Sequence, residues 1–176
     1  MTPATLLRPS IEADLPAIQA IYAHAVQHGT GTFETDAPDV AEMGRRRTEV
    51  LGRGLPFLVA EVDGEVVGYA YANYFRPRLA YRYCLEDSIY LARDAQGKGL
   101  GKLLLAELIA RCEAAGGRQM LAVIGDAENK GSVGLHTALG FEHTGVLKAS
   151  GWKFGRWLDV VLMQRTLGHG DTSAPA

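Results

Sequence analysis

Ser88-Ile89-Tyr90-Leu91 is a β-favouring stretch, followed by glycines at 97, 99 and 101 and then directly by an apolar helical pattern. Glycine loses more backbone freedom on folding than any other residue. Its repetition at a helix entrance therefore implies a left-handed backbone or a close approach by something else. A strand, a glycine loop and a helix N-terminus in that order gather unsatisfied backbone N–H groups in front of the helix dipole, a setting that favours an anion. Lys98 and Lys102 add positive charge. The plainer alternative is a connection that binds nothing.

Spacing separates the known phosphate loops. Gly101-Lys102 is followed by Leu103, where a Walker loop needs a Ser or Thr hydroxyl for magnesium. The dinucleotide fingerprint is Gly-x-Gly-x-x-Gly; this chain has Gly-x-Gly-x-Gly, in mid-chain. Neither nucleotide pattern fits.

The 176 residues, 47% of them hydrophobic, suit one domain with a full core. Formal net charge is −2. The only basic run, Arg45-Arg46-Arg47, lies in an expected helix and reads as a solvated face. No basic stripe interleaved with aromatics is present, so nucleic acid is not expected as a partner. Cys84 and Cys112 lack metal-ligand spacing and read as reduced thiols, which implies no metal site and a reducing compartment. The N-terminus lacks the basic-then-apolar pattern of a signal peptide, and no apolar run reaches the roughly 18 residues of a membrane span. The expectation is a cytoplasmic protein with no membrane partner.

A short strand is expected near Leu6-Leu7, then a helix with Asp14 as N-cap, Pro16 in its first turn and Leu15, Ile18, Ile21, Tyr22 and Ala25 at helical spacing. Residues 29–38 read as a loop, and a second helix follows with Asp39 and Glu42 as a capping-box pair. Residues 57–62 and 65–75 form a hairpin across Asp63-Gly64. A strand ending near Leu91 precedes the glycine loop and a helix over 100–115, closed by Gly116-Gly117. Residues 120–125 form a buried strand, and a short helix runs from Ser132 to Gly140. Strands over 141–146 and 157–167 are separated by "LKASGWKFGR". Helices between some strands and hairpins between others imply an α/β fold with a mixed, partly antiparallel sheet. One domain is expected over residues 1–167, with a disordered tail over 168–176.

The segment Gln96-Gly97-Lys98-Gly99-Leu100-Gly101 matches Gln/Arg-x-x-Gly-x-Gly, and "ENKGSVGLHTALGF" carries an Asn, a Ser three residues on, and a closing Leu-Gly-Phe. These stretches resemble the GNAT N-acetyltransferase superfamily over residues 6–167. "GTFETDAP", "FRPRLAYRYCLEDSIYL" and "GWKFGRWLDVVLMQ" are similar to its phosphinothricin and methionine sulfoximine N-acetyltransferase group. The resemblance implies an acyltransferase that moves the acetyl group of acetyl-CoA to the amine of a small amino acid or analogue in a ternary complex. It also implies a homodimer.

Acetyl transfer needs a base to take the proton of an amine that is charged near pH 7. By the family pattern Glu-x-Ser-x-Tyr, Glu86 is that base; otherwise it is a carboxylate on an exposed strand face. Asp87 should face the other side of a regular strand and so is less expected to share the site, an argument that weakens if the strand is splayed and bulged here, as the resemblance implies. The resemblance implies that Ile89, Tyr90 and Leu91 hold the pantetheine arm and the carbonyl through their backbone. Gln96, Gly97, Lys98, Gly99, Leu100, Gly101 and Lys102 then cradle the pyrophosphate. Asn129 and Ser132 contact the cofactor, or else serve as a loop residue and a helix N-cap. His136 stands where relatives carry a tyrosine or histidine near the cofactor sulfur, and it could protonate the leaving thiolate. Phe33, Phe75, Arg76, Arg78 and Tyr81 are expected to bind the acceptor, the arginines through its carboxylate. Trp152 and Trp157 fit core or interface equally. Neither cysteine sits in a nucleophile context. Two other readings stay open: a peptide N-terminal acetyltransferase of the same fold, and a non-catalytic acyl-CoA sensor.

Overall fold

Among the described residues, seven strands form one sheet in the order β1-β2-β3-β4-β5-β7-β6, with only the β4–β5 pair parallel. The structure, a computed structural model, describes residues 5–175; residues 1–4 and 176, included in the domain and tail ranges above, lie outside them. The strands are β1 (Thr5–Pro9), β2 (Phe57–Val62), β3 (Glu65–Tyr74), β4 (Cys84–Leu91), β5 (Gln119–Gly125), β6 (Glu142–Lys153) and β7 (Arg156–Thr166). The helices are α1 (Leu15–His28), α2 (Val40–Gly52), α3 (Leu100–Ala114) and α4 (Lys130–Ala138). The mixed α/β sheet is the one expected from the sequence.

Alternation along the strands sorts the layers. On one face Phe57, Tyr69 and Tyr71 stack, and Tyr90 meets Tyr22 of α1 edge-on at 4.9 Å. That face is covered by α1 and α2. The other face carries Leu85, Met120 and Ala122 under α3, whose buried row is Leu104, Leu105, Leu108 and Cys112. Gly116, at φ 91°, ends α3: its N–H bonds Glu113 O, and the Gly117 N–H bonds Cys112 O at 2.9 Å. The two bonds close the helix as the Gly-Gly pair led one to expect.

Several local expectations are corrected. Asp14 stands at the N-cap position of α1 as expected, but its side chain makes no capping bond; the carboxylate accepts instead from the Ile11 N–H and from Arg8, both at 2.8 Å, because a 3₁₀ turn precedes the helix. Asp39 does cap α2, accepting from the Glu42 N–H at 2.7 Å, but the Glu42 side chain turns to Arg45 and Arg46. The arginine run is consequently not a bare solvated face, since Arg46 also binds Glu34 and Arg47 binds Ser10. "LKASGWKFGR" is mostly strand: β6 continues to Lys153 and turns at Phe154-Gly155, both at positive φ. A bulge at Ala149, held by the Asp159 carboxylate, breaks the alternation that would have revealed it. The C-terminal residues, which composition alone suggests are disordered, form turns in which the Arg118 guanidinium donates to the carbonyls of Gly170 and Ala174.

One irregularity of the sheet positions the site. β4 and β5 pair only over Cys84–Glu86 and Gln119–Leu121. Beyond this β4 stays with β3 as far as Leu91, and β5 stays with β7 as far as Gly125. The two strands diverge, and their facing edges hold backbone groups with no sheet partner. Such edges call for another hydrogen-bonding chain or solvent between them.

Candidate active site

The divergence opens a cleft of about 870 Å³, lined by β4 from Glu86 to Leu91, by β5 from Ala122 to Gly125, and by α1, α4 and the loop after α1. Glu86, Ile89, Tyr90, Leu91, Gln96, Asn129, Ser132, His136 and Phe33 all line it. The glycine loop continues from Gln96. Gly97 and Gly99 are left-handed at φ 72° and 80°, and an added Cβ at either would meet nothing within 4 Å. These glycines therefore serve backbone shape rather than packing. Gly101 differs: it is buried, and a Cβ there would sit in ordinary contact with the Leu91 and Leu135 side chains at 3.4 Å and 3.5 Å. No side chain caps the first turn of α3, where Leu100 and Gly101 are buried and Lys98 and Lys102 are exposed.

Glu86 and Asp87 point to opposite faces of β4, as alternation requires. Because the cleft passes between the strands, both nevertheless line it. The expectation that Asp87 lies away from the site is thus corrected. Burial pushes the Glu86 carboxyl up from 4.5 to about 6; the neighbouring Asp87 charge adds to the rise and Arg76 opposes it. Asp87 is buried, and its Oδ2 lies 3.0 Å from Nε2 of His136.

His136 is only 2% exposed. Its Nδ1 donates to the Ser132 carbonyl at 2.7 Å, and its ring lies edge-on to Phe141 at 4.9 Å. Burial alone would lower its pKa, but the Asp87 hydrogen bond and charge outweigh that and raise it above 6.5. The N-cap of α4 is Asn129, which accepts from the Ser132 N–H at 3.2 Å; Ser132 is inside the helix and not its cap.

The other wall is the loop after α1. Thr32 is buried and shares a 2.8 Å hydrogen bond with the Tyr22 hydroxyl. Phe33 lies against the backbone at Gly125 and Gly151, where an added Cβ would come within 2.9 Å and 2.4 Å of its ring. The buried Lys153 ammonium donates to the carbonyls of Gly29 and Thr32, both at 2.8 Å. Asp126, left-handed at φ 71°, accepts from Thr30 and Arg156. Sequence reasoning missed Asp87, Thr32, Asp126 and Lys153, since their partners lie far along the chain.

Phe75, Arg76, Arg78 and Tyr81 are not among the residues lining the cleft. They occupy the connection between β3 and β4, where Phe75 and Tyr81 meet edge-on at 5.9 Å and Arg76 stacks on Phe75. Both arginines are exposed, and of the two it is Arg76 whose charge reaches Glu86. Trp152, Phe154 and Trp157 are 57%, 56% and 64% exposed, so the tryptophans are not core. Neither cysteine lines the cleft; burial pushes the Cys112 thiol up to about 12. Among the described residues no group of three or more His, Cys, Asp or Glu side chains could hold a metal ion, and no helix is long and apolar enough to cross a membrane.

A parallel strand pair splayed over a glycine-headed helix, with a carboxylate in the opening, defines an acyltransferase fold. The chain belongs to the GNAT acetyltransferase family, whose sequence model matches residues 18–141. It is 56% identical over 172 residues to a phosphinothricin N-acetyltransferase of Alcaligenes faecalis, an alignment covering 98% of this chain and 87% of that protein. It is 42% identical to an L-methionine sulfoximine/L-methionine sulfone acetyltransferase of Pseudomonas paraeruginosa, covering 92% of this chain and 94% of that protein. Among solved structures, a phosphinothricin acetyltransferase from Sinorhizobium meliloti in complex with acetyl-CoA superposes with a TM-score of 0.95. That comparison has 51% identity and covers all of this chain and 94% of the other.

Proposed function

We propose that this chain transfers the acetyl group of acetyl-CoA to the α-amine of a small amino acid of the phosphinothricin, methionine sulfoximine or methionine sulfone type. The observation that carries the reading is the cleft itself. It joins a free β4 edge, a left-handed glycine loop and a carboxylate whose proton affinity is raised to about 6. Relatives named for those acceptors, and one solved with acetyl-CoA, support the choice of substrates.

The cofactor supplies an activated acetyl group as a thioester. The N–H groups of residues 97–101, with Lys98 and Lys102, suit its pyrophosphate, and Asn129 and Ser132 lie beside its path. The unpaired edge of Ile89 to Leu91 suits the amides of an extended arm, as a neighbouring strand would, and offers N–H donors to the carbonyl oxygen. On the α1 and α2 face, Glu86 takes a proton from the acceptor ammonium, directly or through a water, and the freed amine attacks the thioester carbon. The C–N bond forms, the C–S bond breaks, and the thiolate leaves toward the α3 and α4 face, where His136 supplies a proton. Phe33 walls the acceptor side. Arg76 and Arg78, with Phe75 and Tyr81, provide charge and apolar surface near its carboxylate. Transfer is direct, because a buried thiol as weakly acidic as Cys112 is a poor nucleophile.

Two copies of the chain pair through the β6–β7 hairpin, whose Trp152, Phe154 and Trp157 are exposed together. Both cysteines are free, which suits a reducing cytoplasm.

A thiol-release assay with acetyl-CoA tests the reading against phosphinothricin, methionine sulfoximine, methionine sulfone and a peptide panel. Turnover with the small amino acids is the expected result. Turnover confined to peptides would assign an N-terminal peptide acetyltransferase, and acetyl-CoA binding without turnover a sensor.

A further inference from the structure

Asp87 has no place in the reading above, yet it is buried within the cleft against the residue that protonates the thiolate. The Ser132 carbonyl can only accept, so His136 Nδ1 carries a proton. The contact between Nε2 and Asp87 Oδ2 at 3.0 Å therefore holds a second, shared proton. Asp87 Oδ1 is buried with no hydrogen-bond partner, so the imidazole is the carboxylate's one strong side-chain contact. A buried carboxylate in this state is costly unless it is paired with a cation, and among the described residues the only candidate touching it is the imidazolium.

We propose that Asp87 is the positioning residue of the transfer step, orienting His136 and keeping it doubly protonated so that the pair holds one proton ready for the departing sulfur. This deepens the acetyltransferase reading and rests on it. As the C–S bond breaks, the sulfur keeps the electron pair and takes the shared proton. Asp87 is left as a carboxylate beside a neutral imidazole, and solvent returns the proton before the next turnover.

Few other groups bear on the pair. Glu86 is its neighbour on β4, and the Cys112 thiol faces Asp87 from α3, itself driven up by burial and by the Asp87 charge. β5 presents no titratable side chain; the Ser132 hydroxyl lies 3.4 Å from His136 Nδ1, the Phe141 ring is edge-on, and His24, His28 and Arg93 line the same cleft. Raised proton affinity at His136 agrees with this arrangement.

The test follows the His136 ring by NMR in the ligand-free protein across pH 5.5 to 9, with assignment from H136N, beside the pH profile of kcat/KM. The wild type is expected to show a doubly protonated His136 beyond neutral pH. In D87N the same resonances should titrate at least tenfold lower in proton affinity, and the alkaline limb of the profile should fall by the same amount. H136N should lack that limb, and adding D87N to it should leave the profile unchanged. A neutral His136 at pH 7 in the wild type overturns the proposal. So does an alkaline limb that stays put in D87N while the ring titration moves. Should D87N fail to fold, the wild-type titration still decides, with D87E as the second variant. If no acceptor is acetylated at all, the enzymatic reading fails, whereas the ring titration still reports on the pair.

Discussion

The Lys153 ammonium donates to the Thr32 carbonyl at 2.8 Å, joining the β6–β7 hairpin to the loop that walls the cleft, 121 residues away. The same nitrogen reaches the Gly29 carbonyl, and burial depresses its proton affinity despite the opposing charge of Glu34. One buried cation thus sets the position of Phe33.

Replacing it by methionine keeps the length of the side chain and removes both donors. The Thr32 carbonyl is then left buried and unpaired, and the half-buried Gly29 carbonyl loses its donor as well. At about 1–3 kcal/mol for a buried acceptor and less for a half-buried one, Lys153→Met should lower stability by about 1–4 kcal/mol and raise the acceptor KM severalfold while sparing acetyl-CoA affinity. Urea unfolding with steady-state kinetics checks this; an unchanged acceptor KM would limit Lys153 to a structural role.

Glu86 carries the clearest pH signature. Its folded pKa of about 6 lies above the ordinary 4.5, so the folded state binds the proton more tightly than the unfolded chain. Stability contributed by the protonated form is therefore lost as pH rises from about 4.5 through 6, and at pH 7.5 the ionised carboxylate opposes folding. Glu86→Gln should gain about 1–2 kcal/mol of stability at pH 7.5 yet lose turnover. The wild-type kcat/KM should rise with pH through about 6, and the variant should lack that limb. Equal activity from pH 6 to 9 would remove Glu86 as the base.

At Gly99 the backbone is left-handed and open space surrounds the Cα hydrogen, so a side chain meets no neighbour. Asp and Asn strain this position equally, and both tolerate it better than most residues. Gly99→Asp alone places a carboxylate at the helix N-terminus where the pyrophosphate belongs. Calorimetry should show acetyl-CoA binding at least tenfold weaker in Gly99→Asp than in Gly99→Asn. Equal affinities would separate the loop from the cofactor.

Trp152 and Trp157 meet edge-on with ring centres 5.1 Å apart while exposed to solvent, and Phe154 flanks them. This apolar surface is the one through which the proposed pairing of two chains would run. Trp152→Ser with Trp157→Ser should convert a sedimenting dimer into a monomer and leave the fold intact by circular dichroism. A wild type that sediments as a monomer at all concentrations would remove the interface.

Much of this architecture is legible locally. Asp63-Gly64 announces its hairpin because both residues accept positive φ, and Gly116 ends α3 for the same reason. The Gln96–Gly101 pattern identifies the loop, since backbone shape there depends on the absence of side chains. Asp14 holds the N-cap position the sequence assigns it but turns its carboxylate to Arg8 and Ile11, and Ser132 lies inside α4 because Asn129 is the cap. The extended β6 was hidden, its hydrogen bonds being supplied by β7 and by Asp159 rather than by its own residues.

What the sequence determined by itself, then, is the family, the order of elements, the glycine loop and the identity of Glu86 and His136 as chemical groups. Only the tertiary structure decided that β4 and β5 part after Glu86, which puts both faces of one strand into a single cleft. It also decided that His136 is buried against Asp87, and that Lys153 holds the loop after α1. Charge, burial and hydrogen-bond partners are properties of neighbours in space, and 49 positions separate Asp87 from His136 along the chain.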